Sequence, residues 1–118
     1  MLGDVNAIKG SMNSVDGHHN KIKGDLNDIF KGSHNQVEGK NNKLSGDENY
    51  VEGDTNAVTG DKNKAKGDLN FINGELNLVG GDGNAIMEGV DNKILGDFNF
   101  LTGDRNKLKG DGNIVDGD

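Results

Sequence analysis

A chain of 118 residues holds at most one domain. Its 31% hydrophobic content, 4% aromatic content and lack of Cys are poor material for an ordinary globular core and exclude a disulfide framework or a thiolate metal site. The formal charge of −7 argues against general affinity for nucleic acid, and no apolar run approaches a membrane span, so neither is an expected partner.

Taken in chain order, Met1 and Leu2 lead straight into repeat with no secretory apolar region, so an extracellular location would make this a mature form. The first unit, Gly3-Asp4-Val5-Asn6-Ala7-Ile8-Lys9, reads G-D-x-N-x-h-x with h aliphatic. The phrase starts seventeen times, to Gly117, and sixteen units are complete. Their fourth place is always Asn: Asn6, Asn13, Asn20, Asn27, Asn35, Asn42, Asn49, Asn56, Asn63, Asn70, Asn77, Asn84, Asn92, Asn99, Asn106 and Asn113. The sixth place is Ile, Val or Leu except at Ala65. Units of this kind specify stacking.

A helical heptad is excluded, because Gly at every seventh position would cost about 1 kcal/mol each time. Asn and the aliphatic residue are two apart and so share one side of a short strand. Gly-Asp supplies the turn: Gly accepts φ > 0, and Asp bonds amides two residues on. Two units make one coil, and eight coils stacked at about 4.8 Å give a rod of about 40 Å. The expected fold is all-β, a parallel β-solenoid or β-roll over residues 1–118, with inward Asn and aliphatic ladders. Two units, Gly24 to Lys31 and Gly81 to Glu88, have eight residues, and each extra residue should bulge outward. Ala65 should leave the core thin midway. No cap precedes Gly3 or follows Gly117, which suggests a piece of a longer protein or ends that meet something.

Places three, five and seven should face outward. On the first-half strands they collect ten basic residues, Lys9, Lys21, Lys23, Lys62, Lys64, Lys66, Lys93, Arg105, Lys107 and Lys109, against four acids. This reads as a solvated face with cross-strand pairs such as Glu52 with Lys66 and Glu48 with Lys62, or as a polyanion site. The second-half face carries Leu26, Thr55, Ala57, Thr59, Leu69, Phe71, Ala85, Met87, Phe98, Phe100, Thr102 and Ile114, with Phe30 joining at the bulge. It reads as the contact surface. Leu69, Phe71, Phe98 and Phe100 would be its anchors, and the Gly83/Ala85 groove between these ridges would receive a partner's side chain. The apolar face and uncapped ends suggest a homo-oligomer or filament. Along one edge Asp54, Asp68, Asp82, Asp97 and Asp111 stack. Turn amides are their expected partners, with calcium as the alternative. His19 and His34 sit one coil apart without a third ligand and read as surface residues. Nothing has catalytic spacing, so no enzyme and no cofactor is expected.

The unit, rephrased as x-x-N-x-V-x-G and seen in His34-Asn35-Gln36-Val37-Glu38-Gly39 and Thr55-Asn56-Ala57-Val58-Thr59-Gly60, resembles the repeat of the grass ice recrystallisation inhibition and antifreeze proteins. The resemblance runs the length of the chain. It implies a left-handed β-roll of 14- to 15-residue coils, ice as the ligand of a flat outer face, and extracellular placement. The inward positions match, and Thr55, Ala57 and Thr59 form a family-like surface triplet. The chain otherwise departs outwardly, with only three Thr and four Ser in all.

Overall fold

The computed structural model describes residues 7–117. Among them are sixteen strands, from Ala7–Lys9 to Ile114–Asp116. Odd-numbered strands pair in order as one parallel sheet of eight, and even-numbered strands as another. Each coil therefore gives one strand to the odd sheet and one to the even sheet, as the alternation of units requires. The principal extents are 39 × 19 × 13 Å.

The sixth place of each unit fills the space between the sheets. Thirteen such residues, from Val15 to Leu101, are buried in one continuous core. Their register is coil on coil, Val58 lying between Leu44 and Ile72. Twelve Asn, from Asn20 to Asn99, are at most 1% exposed. Asn13, Asn106 and Asn113 are partly covered towards the ends of the stack, and Asn6 lies outside the described residues. Burying so many amides is tolerable because all but the Asn20 amide group and Asn35 Nδ2 are hydrogen-bonded.

Backbone accounting explains why the repeat demands Asp and Asn where it does. In a typical unit the amides of places one, three and five donate to backbone carbonyls of a neighbouring coil, as Gly67 does to Glu52, Leu69 to Asp54 and Phe71 to Asn84. Places two and four use side-chain acceptors instead. The Asp68 amide donates to Asp82 Oδ1 at 2.7 Å, and the Asn70 amide to Asn56 Oδ1 at 2.9 Å. Asp25, Asp54, Asp61, Asp68, Asp82, Asp97 and Asp111 thus each bond the equivalent amide one coil earlier. This corrects the expectation of a bond within its own turn, and both geometries use the same residue.

The two Asn ladders differ. Along the even sheet Asn70 Nδ2 donates both to Asn56 Oδ1 at 3.1 Å and to the Gly81 carbonyl at 2.8 Å. Along the odd sheet Asn49 keeps the amide bond to Asn35 Oδ1 and the bond to the Gly60 carbonyl. Both eight-residue units shift the register by one on the outside, between Val15/Gly17 and between Asn73/Gly74 of their partner strands. The inner register survives. At Glu88 the odd ladder stays connected, Asn92 donating to Asn77 Oδ1 at 3.1 Å. At the earlier bulge the ladder opens, leaving the Asn20 amide group and Asn35 Nδ2 buried without a hydrogen bond.

Every described third place has positive φ, including Met12, Leu26, Lys62, Leu69, Phe98 and the β-branched Thr55 at +61°. A bulky side chain there is a strained one. Third-place residues therefore occupy the corners, while the strands run from the fifth place, as in Ala57–Thr59. The expected three-residue outer stripes reduce to two strand rows plus a corner row.

Ala65 is fully buried between Val51 and Val79 in adjoining coils. Ala65→Val should raise stability by about 1 kcal/mol if the two added methyls fill space. A lower guanidinium midpoint would show instead that the coils have already closed around the Ala.

Candidate interaction faces

The even sheet presents two strand rows in strict register. Its fifth-place row runs Lys43, Ala57, Phe71, Ala85, Phe100, Ile114. Its seventh-place row includes Ser45, Thr59, Asn73, Met87 and Thr102. Leu26, Thr55, Leu69 and Phe98 belong to the adjoining corner row, where their left-handed backbone holds them. All twelve expected contact residues thus fall on this sheet or its corner, but in three rows of different backbone character. The Thr102 hydroxyl donates to Asp116 one coil on.

The four proposed anchors are exposed: Leu69 63%, Phe71 46%, Phe98 71% and Phe100 38%. The relief between them is not the one expected. A Cβ built on Gly83 would lie 2.7 Å from Cδ1 and 2.8 Å from Cε1 of Phe98, so that ring lies over the glycine. The chain's own Phe98 occupies the Gly83 part of the groove, and ridge and groove are levelled there. Neighbouring coils are close enough for a large corner residue to lean over an absent side chain. Gly83→Ala should therefore cost more than the roughly 1 kcal/mol of a left-handed Ala, because the ring must move. In a Phe98→Ala background the excess should vanish. A double-mutant cycle by denaturant melts reads this directly, and a coupling of zero would place the ring elsewhere.

On the odd sheet acids and bases interleave only in part. Glu52 pairs with Lys66 at 2.8 Å, as expected, and Glu38 pairs with Lys23 at 2.5 Å. Hydrogen bonds from Lys66 and from the Tyr50 hydroxyl hold the Glu52 carboxyl below its usual range. Lys64 lies 5.3 Å over the Tyr50 ring. Leu95 leans over Gly80, 3.2 Å from where a Cβ would sit.

Asp54, Asp68, Asp82, Asp97 and Asp111 do form a stacked edge. One oxygen of each accepts an amide of the preceding coil, at 2.6–2.8 Å. His19 and His34 stack with ring centroids 4.7 Å apart. Among the described residues no three or more His, Cys, Asp or Glu converge as a metal cluster.

The fold and its surfaces define a class: a two-sheeted parallel β-solenoid whose outer faces, rather than any internal site, differ in chemistry. Residues 2–89 match the model of the grass antifreeze beta roll. The chain belongs to that family. A search of curated proteins found no match. Among solved structures, the polySia-specific acetyltransferase NeuO aligns over 97% of this chain and 47% of its own length, at 20% identity and a TM-score of 0.20. A likeness that weak carries no argument about fold or function, and the chain spans under half of that protein.

Proposed function

We propose that this protein is a non-catalytic binder of ice, acting through the even-sheet face, and that it works outside the cell as the family resemblance implies. The family match over residues 2–89 is the observation that carries the reading. The face supports it in three ways. Its central strand rows, from Ala57 to Thr102, hold no charged side chain. They are in strict register, and at the adjoining corner the Phe98 ring lies over Gly83. Ala57, Thr59, Ala85 and Thr102 set small and methyl-bearing groups in ranks alongside the Phe71 and Phe100 rings, and such groups can order water laterally without drawing it into strong hydration shells.

The test is grain growth in splat-cooled ice. The parent should hold grains small at micromolar protein. Thr59→Lys/Ala85→Lys should need roughly tenfold more, the equivalent of about 1.4 kcal/mol, whereas Lys64→Glu should not matter. Unchanged grain growth with the parent would end the ice reading. A second reading, association with another protein or with itself, is favoured by the exposure of Leu69, Phe71, Phe98 and Phe100. Sedimentation of Phe71→Lys/Phe98→Lys beside the parent distinguishes it. A parent that stays monomeric at high concentration argues against self-association.

A further inference from the structure

We propose that the odd-sheet face is a second binding surface, built for a linear polyanion lying along the solenoid axis. The inference concerns the opposite sheet and does not rest on the ice reading. Ten of the thirteen basic residues lie on this face and its corner with four of the twenty acids, so it carries +6 and the rest of the chain −13. So sharp a separation is not needed for solubility, which interspersed charges supply equally well.

The local arrangement points the same way. Lys9 faces Lys23, and Lys93 faces Lys107, as direct cross-strand partners. Like charges so placed oppose folding. The chain has acids to spare, yet among the described residues of this face and its corner they pair with only three basic residues, Lys23 with Glu38, Lys66 with Glu52 and Arg105 with Asp91. Lys93, Lys107 and Lys109 have no ion-pair partner among the described residues. Glu38 offsets Lys23, but at Lys93 and Lys107 the rule is broken without internal compensation, as expected of a functional surface.

The geometry selects the ligand. The lysines stand in two rows parallel to the axis, Lys21, Lys64, Lys93 and Lys107 in one and Lys9, Lys23, Lys66 and Lys109 in the other, with Gln36, Tyr50, Leu78, Glu38, Glu52, Gly80 and Leu95 between them, so that the charges fall at multiples of about 4.8 Å along one line. Nine of the ten basic residues are Lys. Lys is a flexible point charge that pairs with anionic groups one at a time, unlike the planar guanidinium fork that grips a carboxylate or phosphate bidentately. No Phe lies on this sheet, and its one aromatic strand residue, Tyr50, is covered by Lys64. The face therefore lacks an aromatic wedge for entering a bilayer.

The full chain should be retained on immobilised polygalacturonate and on heparin at low salt. With four contacts on a flexible polymer, affinity should fall about fiftyfold between 50 and 200 mM salt. Lys93→Glu/Lys107→Glu should weaken binding at least roughly tenfold. The variant Lys43→Glu/Ser45→Glu/Asn73→Glu, which changes net charge equally on the even sheet, should bind like the parent. Circular dichroism checks that both variants keep the fold. Passage of the parent through both columns unretained overturns the proposal, as does equal loss in the two variants. Binding to phosphatidylserine vesicles without binding either polymer overturns it in favour of a lipid surface.

Discussion

Gly67→Ala should cost more than about 4 kcal/mol, a loss reserved for substitutions that break a packing rule outright. The added Cβ would sit 2.2 Å from the Gly81 carbonyl oxygen and 2.6 Å from Asp82 Oδ1, and the backbone is at φ +116°. Neither obstacle can rotate away, because one is backbone and the other is an Asp oxygen bonded to the Asp68 amide. The two coils would have to part, with loss of their shared ladder bonds. Gly112→Ala is the control. It also has positive φ, +66°, but nothing lies within 4 Å of its Cβ, so only the conformational cost of about 1 kcal/mol remains. Guanidinium melts of the two proteins should differ by several kcal/mol. Equal losses would mean that turn conformation, not coil spacing, is what Gly provides.

Asn70→Ala should cost roughly 3–6 kcal/mol. The Asn70 side chain donates to Asn56 Oδ1 and to the Gly81 carbonyl, and its oxygen accepts both the amide and the Nδ2 of Asn84. Truncation orphans the Gly81 carbonyl, the Asn84 amide and one Asn84 side-chain hydrogen in a dry interior. Each stranded group costs about 1–3 kcal/mol. Asn113→Ala, in the same ladder but near the end of the stack and part-exposed, should lose far less, because water reaches its partners. Thermal melts of the two variants provide the comparison. A loss at Asn70 no greater than at Asn113 would show that the ladder is ornament to the aliphatic core.

The sequence made the coil legible because everything inward is strictly periodic. Asn at the fourth place and an aliphatic residue at the sixth admit one side of a strand, and even the eight-residue units announced their bulges. The outer surface was less readable, for physical reasons. Met12, Leu26, Lys62 and Phe98 carry no sign of left-handed backbone, and stacking imposes it on them against their preference. Asp82 was legible as an amide acceptor, but the bond spans coils, and residue type does not tell a local partner from a stacked one. The Phe98 ring over Gly83 depends on how far apart coils sit at a corner. The cationic and apolar faces were separable from the start, since alternation assigns a side even where it cannot assign a height.

Because inward residues repeat with every unit but outward chemistry repeats only with every second one, the molecule has a parity. Excising one unit from its middle would leave each downstream Asn and aliphatic residue still pointing inward and the ladders chemically continuous. It would also move every downstream Lys row onto the side that carries Phe and Thr, scrambling both surfaces at once. Loss or duplication of a pair of units would lengthen or shorten both faces without mixing them. The interior thus tolerates a gene that stutters in sevens, whereas the exterior keeps its meaning only when the gene counts in fourteens.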